Sequence, residues 1–160
     1  MPDSSAHLIG LISDTHGLMR PGVYEALQGV EMILHAGDVG GSKILDELEL
    51  IAPTRAVYGN TDAPGDPMLA ERIDIDVDGV SIHVSHGHEL GSPTPERLAG
   101  QYDADVVIYG HTHRQLVIRL GDRLFINPGS AGARRFSLLP SVARLTVAKG
   151  KAEVQLIDLA

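Results

Sequence analysis

Short apolar runs alternate with amphipathic segments through the first third of the chain. Buried strands are predicted at residues 8–13, 31–35 and 54–58. Between them, residues 21–28 begin with Pro21, a favoured first helical residue, and residues 42–51 begin with Ser42, a residue type that caps helices. This alternation of strand and helix predicts parallel strands joined by right-handed crossovers.

The pattern changes after a Pro- and Gly-containing loop at residues 63–67. Residues 72–78 alternate apolar and charged side chains, Asp78-Gly79 is a hairpin turn signal, and Thr94 is expected to cap a helix that ends near Tyr102. Further strands are predicted at residues 80–85, 106–109, 116–120, 124–126, 142–147 and 152–159, of which we interpret the last four as successive antiparallel strands. We therefore predict one domain over residues 1–160, with an α/β half, a β-rich half, and two packed sheets with helices outside.

Composition narrows the function classes. The chain contains no cysteine, which excludes disulfides and thiolate metal sites, so that any metal site must use nitrogen and oxygen ligands. A net charge of −8 disfavours sequence-independent binding of nucleic acid and suits carboxylates that hold cations. No apolar run has the length of a membrane span, and the polar first residues lack the features of a signal peptide. We expect a cytoplasmic protein.

Ligand-type side chains follow the predicted strands, at the edge where open α/β sheets bind ligands. They are Asp14, Asp38, Asn60, His86 and His111. His16 and His113 lie two residues after Asp14 and His111, and in an extended chain such positions point to the same side, so that each pair can converge. Carboxylate, carboxamide and imidazole together suit divalent manganese, iron, zinc or nickel.

The ordered motifs resemble those of the calcineurin-like metallophosphoesterases. They are Asp14-Thr15-His16, Gly37-Asp38, Gly59-Asn60-Thr61-Asp62, His86-Gly87-His88 and Gly110-His111-Thr112-His113. The short chain and the segment Ile126-Asn127-Pro128-Gly129-Ser130 resemble the small prokaryotic phosphodiesterase branch of that superfamily.

The resemblance implies a four-layer αββα sandwich of two mixed sheets flanked by helices, with two metal ions at its rim. The implied ligands are Asp14, His16, Asp38 and His113 for the first ion, and Asp38, Asn60, His86 and His111 for the second, with Asp38 bridging. Asp38, Asn60, His86 and His111 are also the implied catalytic residues. The expected activity is that of a phosphodiesterase acting on a small phosphate ester, in which a hydroxide between the two ions, manganese being the favoured metal, attacks phosphorus in line.

One position departs from the wider superfamily. Phosphoprotein phosphatases carry a His after the motif Asn, where it is implicated in protonating the leaving group, whereas this chain has Thr61 followed by Asp62. We therefore expect better activity where the leaving oxygen is already acidic, and we expect Asp62 to orient a ligand.

Several further residues have both functional and structural readings. His88 and Arg134 are candidates for substrate contact or for support of the ligands, although a loop histidine and a solvated arginine pair with Arg135 are equally good or better readings. His35 is expected to be a buried structural histidine or a donor to a ligand. His83 is expected to face solvent.

Two alternatives stay open. The first is a non-catalytic scaffold, since a eukaryotic retromer subunit with this fold is an assembly platform. The second is a phosphomonoesterase or nucleotide pyrophosphatase with the same site. The sequence leaves the natural substrate, the metal and a homo-oligomeric state open.

Overall fold

Two β-sheets contain the strands that the apolar runs predict. The protein is described here by a computed structural model that covers residues 6–133 and 138–159. The strands are β1 (His7–Ile12), β2 (Met32–His35), β3 (Thr54–Val57), β4 (Leu69–Ala70), β5 (Ile73–Val77), β6 (Val80–Val84), β7 (Val106–Ile108), β8 (Leu116–Leu120), β9 (Arg123–Asn127), β10 (Ser141–Ala148) and β11 (Lys151–Asp158). The helices are α1 (Gly22–Ala26), α2 (Ser42–Glu49) and α3 (Pro95–Gln101), with a 3₁₀ turn at His88–Leu90.

Both sheets are mixed. The six-stranded sheet has the order β11-β10-β1-β2-β3-β4, in which β1 to β4 run parallel and β10 is antiparallel to β1 and β11. The five-stranded sheet has the order β5-β6-β7-β9-β8, in which β6, β7 and β9 run parallel. The parallel strands are neighbours within each sheet, so their carboxyl ends lie at the same edge.

Three hydrophobic clusters hold four layers together. The largest lies between the sheets and is made of aliphatic side chains from both, such as Leu11, Leu34, Ile82 and Ile126. A second cluster packs α1 and α2 on the outer face of the six-stranded sheet, and a third, around Phe125, packs α3 on the outer face of the five-stranded sheet. The order helix, sheet, sheet, helix confirms the predicted αββα sandwich.

The prediction of four successive antiparallel strands was wrong in part. The pairs β8–β9 and β10–β11 are antiparallel, but β9 also runs parallel to β7, and β10 lies in the other sheet beside β1. The residues of β9 from Leu124 to Ile126 are fully or almost fully buried, so this strand occupies the sheet interior between β7 and β8. Burial of that kind depends on distant partners that a local pattern does not contain.

Two of the three predictions made from local capping and turn residues are confirmed, and one was wrong. Thr94 caps α3 by accepting a hydrogen bond from the Arg97 N–H at 3.2 Å, as predicted. Asp78 and Gly79 form the predicted turn, with φ angles of 45° and 86°. The prediction for Ser42 was wrong, because Gly41 occupies the capping position of α2 and no side-chain hydrogen bond is made there.

The prediction that His83 faces solvent was also wrong. Its side chain is buried, because α3 covers this face of the five-stranded sheet and the Tyr102 ring stacks on the imidazole at a centroid distance of 3.7 Å. The ring nitrogens are satisfied by Asp74 at 2.9 Å and by the Ser85 hydroxyl at 2.8 Å.

Among the described residues, none of the helices combines the length and apolar character needed to cross a bilayer.

Candidate metal centre

The carboxyl ends of five strands meet at one edge of the sandwich. Asp14, Asp38 and Asn60 follow β1, β2 and β3 of the six-stranded sheet. His86 and the pair His111 and His113 follow β6 and β7 of the five-stranded sheet. The side chains that the sequence predicted as ligands are thereby supplied by both sheets.

The backbone at this edge is left-handed rather than extended. The φ angles are 53° at Asp14, 47° at His16, 55° at Asp38, 71° at His111 and 64° at His113. Non-glycine residues rarely adopt this conformation, and it persists where surrounding structure stabilises it, commonly at functional sites. The argument from an extended chain was therefore wrong. Asp14 and His16 do converge on one group of atoms, whereas His111 and His113 belong to two different groups.

The first group of ligand atoms surrounds Asp14. Its Oδ1 lies 3.3 Å from Nε2 of His113 and 3.8 Å from Nε2 of His16. The two histidine Nε2 atoms are 3.4 Å apart. Asp14, His16 and His113 thus place one oxygen and two nitrogens within the small volume that a cation could occupy.

The second group lies around His86. Its Nε2 is 3.2 Å from Oδ2 of Asp38 and 3.0 Å from Oδ1 of Asn60. The same Asn60 oxygen is 3.1 Å from Nδ1 of His111. Oδ2 of Asp38 is also 3.6 Å from Nε2 of His16, so this carboxylate lies between the two groups.

The donor set fits divalent cations. His86 donates its Nδ1–H to the Ala36 carbonyl oxygen at 2.8 Å, so Nε2 is the ring atom that faces the oxygens of Asp14, Asp38 and Asn60. A cation there would take the place of the Nε2 proton that His86 donates to Asp38. A backbone hydrogen bond on the far ring nitrogen is a usual feature of histidine ligands. Oδ1 of Asp14 is buried and accepts no hydrogen bond, although it faces three imidazoles. A cation among these atoms would give the Asp14 oxygen and the His86 Nε2 a partner of opposite charge or electron demand.

Charge at the centre is held by hydrogen bonds. Burial opposes the ionisation of Asp38, but hydrogen bonds from His86 and Thr61 outweigh it and hold the pKa of Asp38 far below its ordinary value. Burial likewise opposes a charge on His86, but the hydrogen bond to Asp38 and the nearby carboxylates raise its pKa. Burial and the proximity of His86 lower the pKa of His111. Asp38 therefore stays anionic and His111 neutral, as metal ligands require.

Glycines next to the ligands make this close packing feasible. A Cβ on Gly110 would lie 2.1 Å from the Ser13 Oγ and 2.6 Å from the Asp14 Oδ2, and one on Gly59 would lie 2.1 Å from the Asp38 Oδ1. Larger residues at these two positions would displace the carboxylates from the centre.

Hydrogen bonds from nearby polar residues hold the predicted ligands in place. The sequence analysis did not assign this role to these residues. The Ser13 hydroxyl donates to Oδ2 of Asp14 at 2.6 Å. Thr61 donates to Oδ1 of Asp38 twice, from its N–H at 2.9 Å and from its hydroxyl at 2.8 Å. The Ser130 hydroxyl donates to the Asp14 carbonyl at 3.0 Å. Hydroxyl residues beside motif carboxylates were the available signal, but such residues are common in loops.

Asn127 links the end of β9 to the loop that carries two ligands. Its Nδ2 donates to the Gly110 carbonyl at 3.1 Å and to the Thr112 hydroxyl at 3.0 Å, and its Oδ1 accepts from the Gly129 N–H. The segment from Asn127 to Ser130 was interpreted as a turn with a side role in shaping the site, and these contacts describe that role.

The remaining candidates are spread around the centre. Asp62 accepts hydrogen bonds from three backbone N–H groups, those of Val39, Gly40 and Gly59, and so joins the loops that carry Asp38 and Asn60. The His88 ring is 5.4 Å from that of His86. Arg134, together with Arg135, lies outside the described residues.

His35 is buried below the centre, as expected. Its Nε2 donates to Thr15 Oγ1 at 3.0 Å, because the Thr15 hydroxyl itself donates to the Val39 carbonyl. Its Nδ1 accepts from the Gly37 N–H at 3.1 Å. His35 thus supports the loops on either side of Asp38.

Comparison with known proteins identifies the family. Residues 8–150 match the model of the calcineurin-like phosphoesterase superfamily domain. The chain belongs to this superfamily. A probable metallophosphoesterase of Methanothermobacter thermautotrophicus is 36% identical over 159 residues, which cover 94% of this chain and 91% of the relative.

Two further similar proteins carry names that indicate different roles. A phosphodiesterase of Methanocaldococcus jannaschii is 32% identical over 139 residues, covering 76% of this chain and 82% of the relative. The structure of wild-type Vps29 from Entamoeba histolytica in complex with zinc aligns with a TM-score of 0.75 and 26% identity, covering 96% of this chain and 99% of that one. The superfamily fold is therefore shared by proteins named as enzymes and by a protein named for vacuolar protein sorting.

Proposed function

We propose that the protein is a divalent-metal-dependent phosphodiesterase. The ions would be held by Asp14, His16, Asp38 and His113 on one side, and by Asp38, Asn60, His86 and His111 on the other. The observation that carries this proposal is the position of the Asp38 carboxylate, whose Oδ2 lies 3.6 Å from His16 and 3.2 Å from His86. An anionic oxygen between two groups of ligand atoms is what a shared ligand requires.

The chemistry follows from the ligand set. When bound, a pair of divalent ions supplies an activated water and offsets negative charge on a phosphoryl group. The part of this chain is to hold the carboxylates ionised and the imidazoles oriented, through Thr61, Ser13 and the Ala36 carbonyl. Asn60 and His111 lie on the solvent side of the centre, where a phosphate ester can approach.

The contacts of Thr61 bear on the leaving group. Both of its donors are engaged by Asp38, so Thr61 is poorly placed to protonate a departing alkoxide. This supports a preference for esters whose leaving oxygen is already acidic, such as nitrophenyl diesters, over alkyl diesters.

Hydrolysis of bis(p-nitrophenyl) phosphate tests the proposal, with manganese, iron, zinc or nickel supplied to protein freed of metal. We expect metal-dependent turnover, highest with manganese, and much slower turnover of dialkyl esters. Asp38→Asn should lose more than about 100-fold in kcat, because it removes the shared charge, whereas loss of a group that only supports a ligand costs about 10- to 100-fold. Asp46→Asn, on the exposed face of α2, is the matched control. Full activity in Asp38→Asn would contradict the shared-ligand role.

Two other functions share this geometry. A non-catalytic assembly scaffold is supported by the likeness to Vps29, and a protein that purifies without metal and does not hydrolyse the nitrophenyl diester in manganese would favour it. A phosphomonoesterase or nucleotide pyrophosphatase would be recognised in a substrate panel by faster turnover of monoesters or pyrophosphates than of diesters.

A further inference from the structure

A pocket of about 330 Å³ lies beside the metal centre. Its walls include three aromatic or imidazole rings and three charged side chains. They are Tyr58, His88, Tyr102, Glu71, Arg72 and Glu89.

The pocket borders the second group of predicted ligands through His88. The rings of Tyr58 and His88 are 6.3 Å apart, and the His88 ring is 5.4 Å from His86 and 6.5 Å from His111. Tyr58 is followed at once by Gly59 and Asn60. His88 thus lies between the centre and the pocket, within reach of an ester substituent of a phosphoryl group held at the centre.

The charges of the pocket walls are unequal. Among the described residues of the walls, Arg72 carries the permanent positive charge, and it is already paired with Asp74, to which it donates at 2.6 Å and 3.2 Å. Its guanidinium lies over the Tyr102 ring at 5.1 Å. Glu71 and Glu89 remain as an excess of negative charge. An anionic substituent would be repelled here, and a cationic one attracted.

Glu89 is held in position rather than free to turn away. Its Oε1 accepts from the Gly87 N–H at 3.0 Å, and its Oε2 accepts from the Tyr102 hydroxyl at 2.7 Å. Tyr102 is in turn fixed by the stacked His83 ring. Although burial opposes ionisation, the hydrogen bond from Tyr102 and those from Ser85 and Gly87 hold the pKa of Glu89 below its ordinary value, so the carboxylate is charged at neutral pH.

We propose that this pocket binds the ammonium-bearing alcohol of a phosphate ester, and that Glu89 and the ring of Tyr58 determine that specificity. A carboxylate attracts the ammonium group through its charge, and an aromatic face attracts it through the ring quadrupole. The proposal rests on the phosphodiesterase function proposed above and names the class of its substrate.

Three phosphomonoesters of similar size test the pocket as inhibitors of nitrophenyl-diester hydrolysis. They are choline phosphate, its uncharged analogue 3,3-dimethylbutyl phosphate, and 2-sulfoethyl phosphate. Each has one substituent, so that the phosphate at the centre leaves only that group to enter the pocket. We expect the inhibition constant of choline phosphate to be about tenfold lower than that of the dimethylbutyl ester, with the sulfoethyl ester weakest.

Two variants and a control separate charge from fold. Glu89→Gln keeps an acceptor for the Gly87 N–H and should bring the three inhibition constants close together. Glu71→Gln, at an exposed position, should reduce the differences among the three inhibition constants in part. It replaces Glu89→Gln in the test if that variant does not fold. Glu25→Gln removes the same charge from α1, outside the other sheet, and should leave the order unchanged. Equal constants for the three esters in the unaltered protein would overturn the proposal.

Direct calorimetric titration of the manganese-loaded protein keeps this test separate from that of the proposed function. If the protein turns over no nitrophenyl diester, the function fails, and choline phosphate binding more tightly than its analogue, with the difference lost in Glu89→Gln, still supports the pocket. If soluble glycerophosphocholine competes with choline phosphate and phosphatidylcholine vesicles do not, the ligand is a soluble ester. If the vesicles compete too, the ligand is a lipid headgroup. Competition by neither overturns the proposal.

Discussion

Thr61 donates two hydrogen bonds to one oxygen of Asp38 and leaves the other oxygen facing the histidines. Thr61, at the position where phosphoprotein phosphatases carry a histidine, therefore supports the carboxylate that we propose is shared. A residue that orients a ligand in this way changes metal affinity without contacting the metal.

Thr61→Val tests this role, because it keeps the shape and the N–H donor and removes only the hydroxyl. We expect manganese affinity or kcat to fall about 10- to 100-fold, as for other residues that support ligands. Thr61→Ser should restore most of the loss, and both quantities can be read from metal titrations of activity. Unchanged affinity in Thr61→Val would show that the N–H alone holds Asp38.

His35 is fixed in one neutral form. Because its Nδ1 accepts from the Gly37 N–H, a second ring proton would meet a donor, and full burial further lowers the pKa of His35 to about 4 from its ordinary value of 6.5. Between these values the unfolded chain binds the proton and the folded one does not. The associated stability is therefore present above about pH 6.5 and is lost as the pH falls toward 4.

Urea unfolding of metal-free protein across this range checks the prediction. The free energy of unfolding should fall by up to roughly 3 kcal/mol from this group alone. His35→Asn cannot titrate, so its deficit relative to the unaltered protein should shrink as the pH falls. Parallel pH profiles for the two proteins would refute the assignment of this loss to His35.

At the scale of elements, the centre depends on loops that follow the parallel strands. Asp62 joins two of them, since its carboxylate accepts the N–H groups of Val39 and Gly40 after β2 and of Gly59 after β3. These donors lie beside Asp38 and Asn60, whose relative position they determine.

Asp62→Ala should therefore weaken both the fold and the centre. We expect the free energy of unfolding to fall by roughly 2 kcal/mol, since backbone donors lose their acceptor, and manganese affinity to fall with it. Asp66→Ala, which removes the acceptor of the Met68 N–H in the following loop, should leave metal affinity unchanged. Thermal unfolding and metal titration of both variants provide the comparison, and equal metal affinity in the two would contradict the joining role.

At the scale of the whole molecule, the predicted ligands belong to two sheets that pack on each other through a shared apolar core. Asp14, Asp38 and Asn60 lie on one sheet, and His86 and His111 on the other. Hydrogen bonds from His86 to the Ala36 carbonyl and from the His111 N–H to Asp14 already join the sheets at this edge, and metal binding would add to them. A ligand that binds only the folded state stabilises it.

Manganese should accordingly raise the thermal unfolding midpoint, and a chelator should lower it. At a free metal concentration of 100 times the dissociation constant the gain in free energy is about 2.7 kcal/mol. Differential scanning calorimetry measures it, and Asp38→Asn should show a much smaller shift. A midpoint that does not respond to any of the four metals would count against the centre.

Much of the fold could be predicted from local pattern. The parallel strands β1 to β3, the turn at Asp78-Gly79 and the cap at Thr94 each follow from neighbouring residues, and the structure agrees with them. The parallel pairing of β9 with β7 and the crossing of β10 into the other sheet could not be predicted in this way. Their partners are distant in the sequence, and the burial that favours them exists only once both sheets have formed. The single domain over residues 1–160 and the cytoplasmic location stay predictions.

The sequence by itself determined which chemical groups the centre contains and in what order they follow the strands, because side-chain type and motif spacing are properties of the chain. Tertiary structure alone decided how those groups are shared. His111 lies beside Asn60 while His113, two residues on, lies beside Asp14, since both residues are held in left-handed conformations that packing stabilises. The contact of Thr61 with Asp38 and the burial of His83 under Tyr102 likewise join residues that only the folded chain brings together.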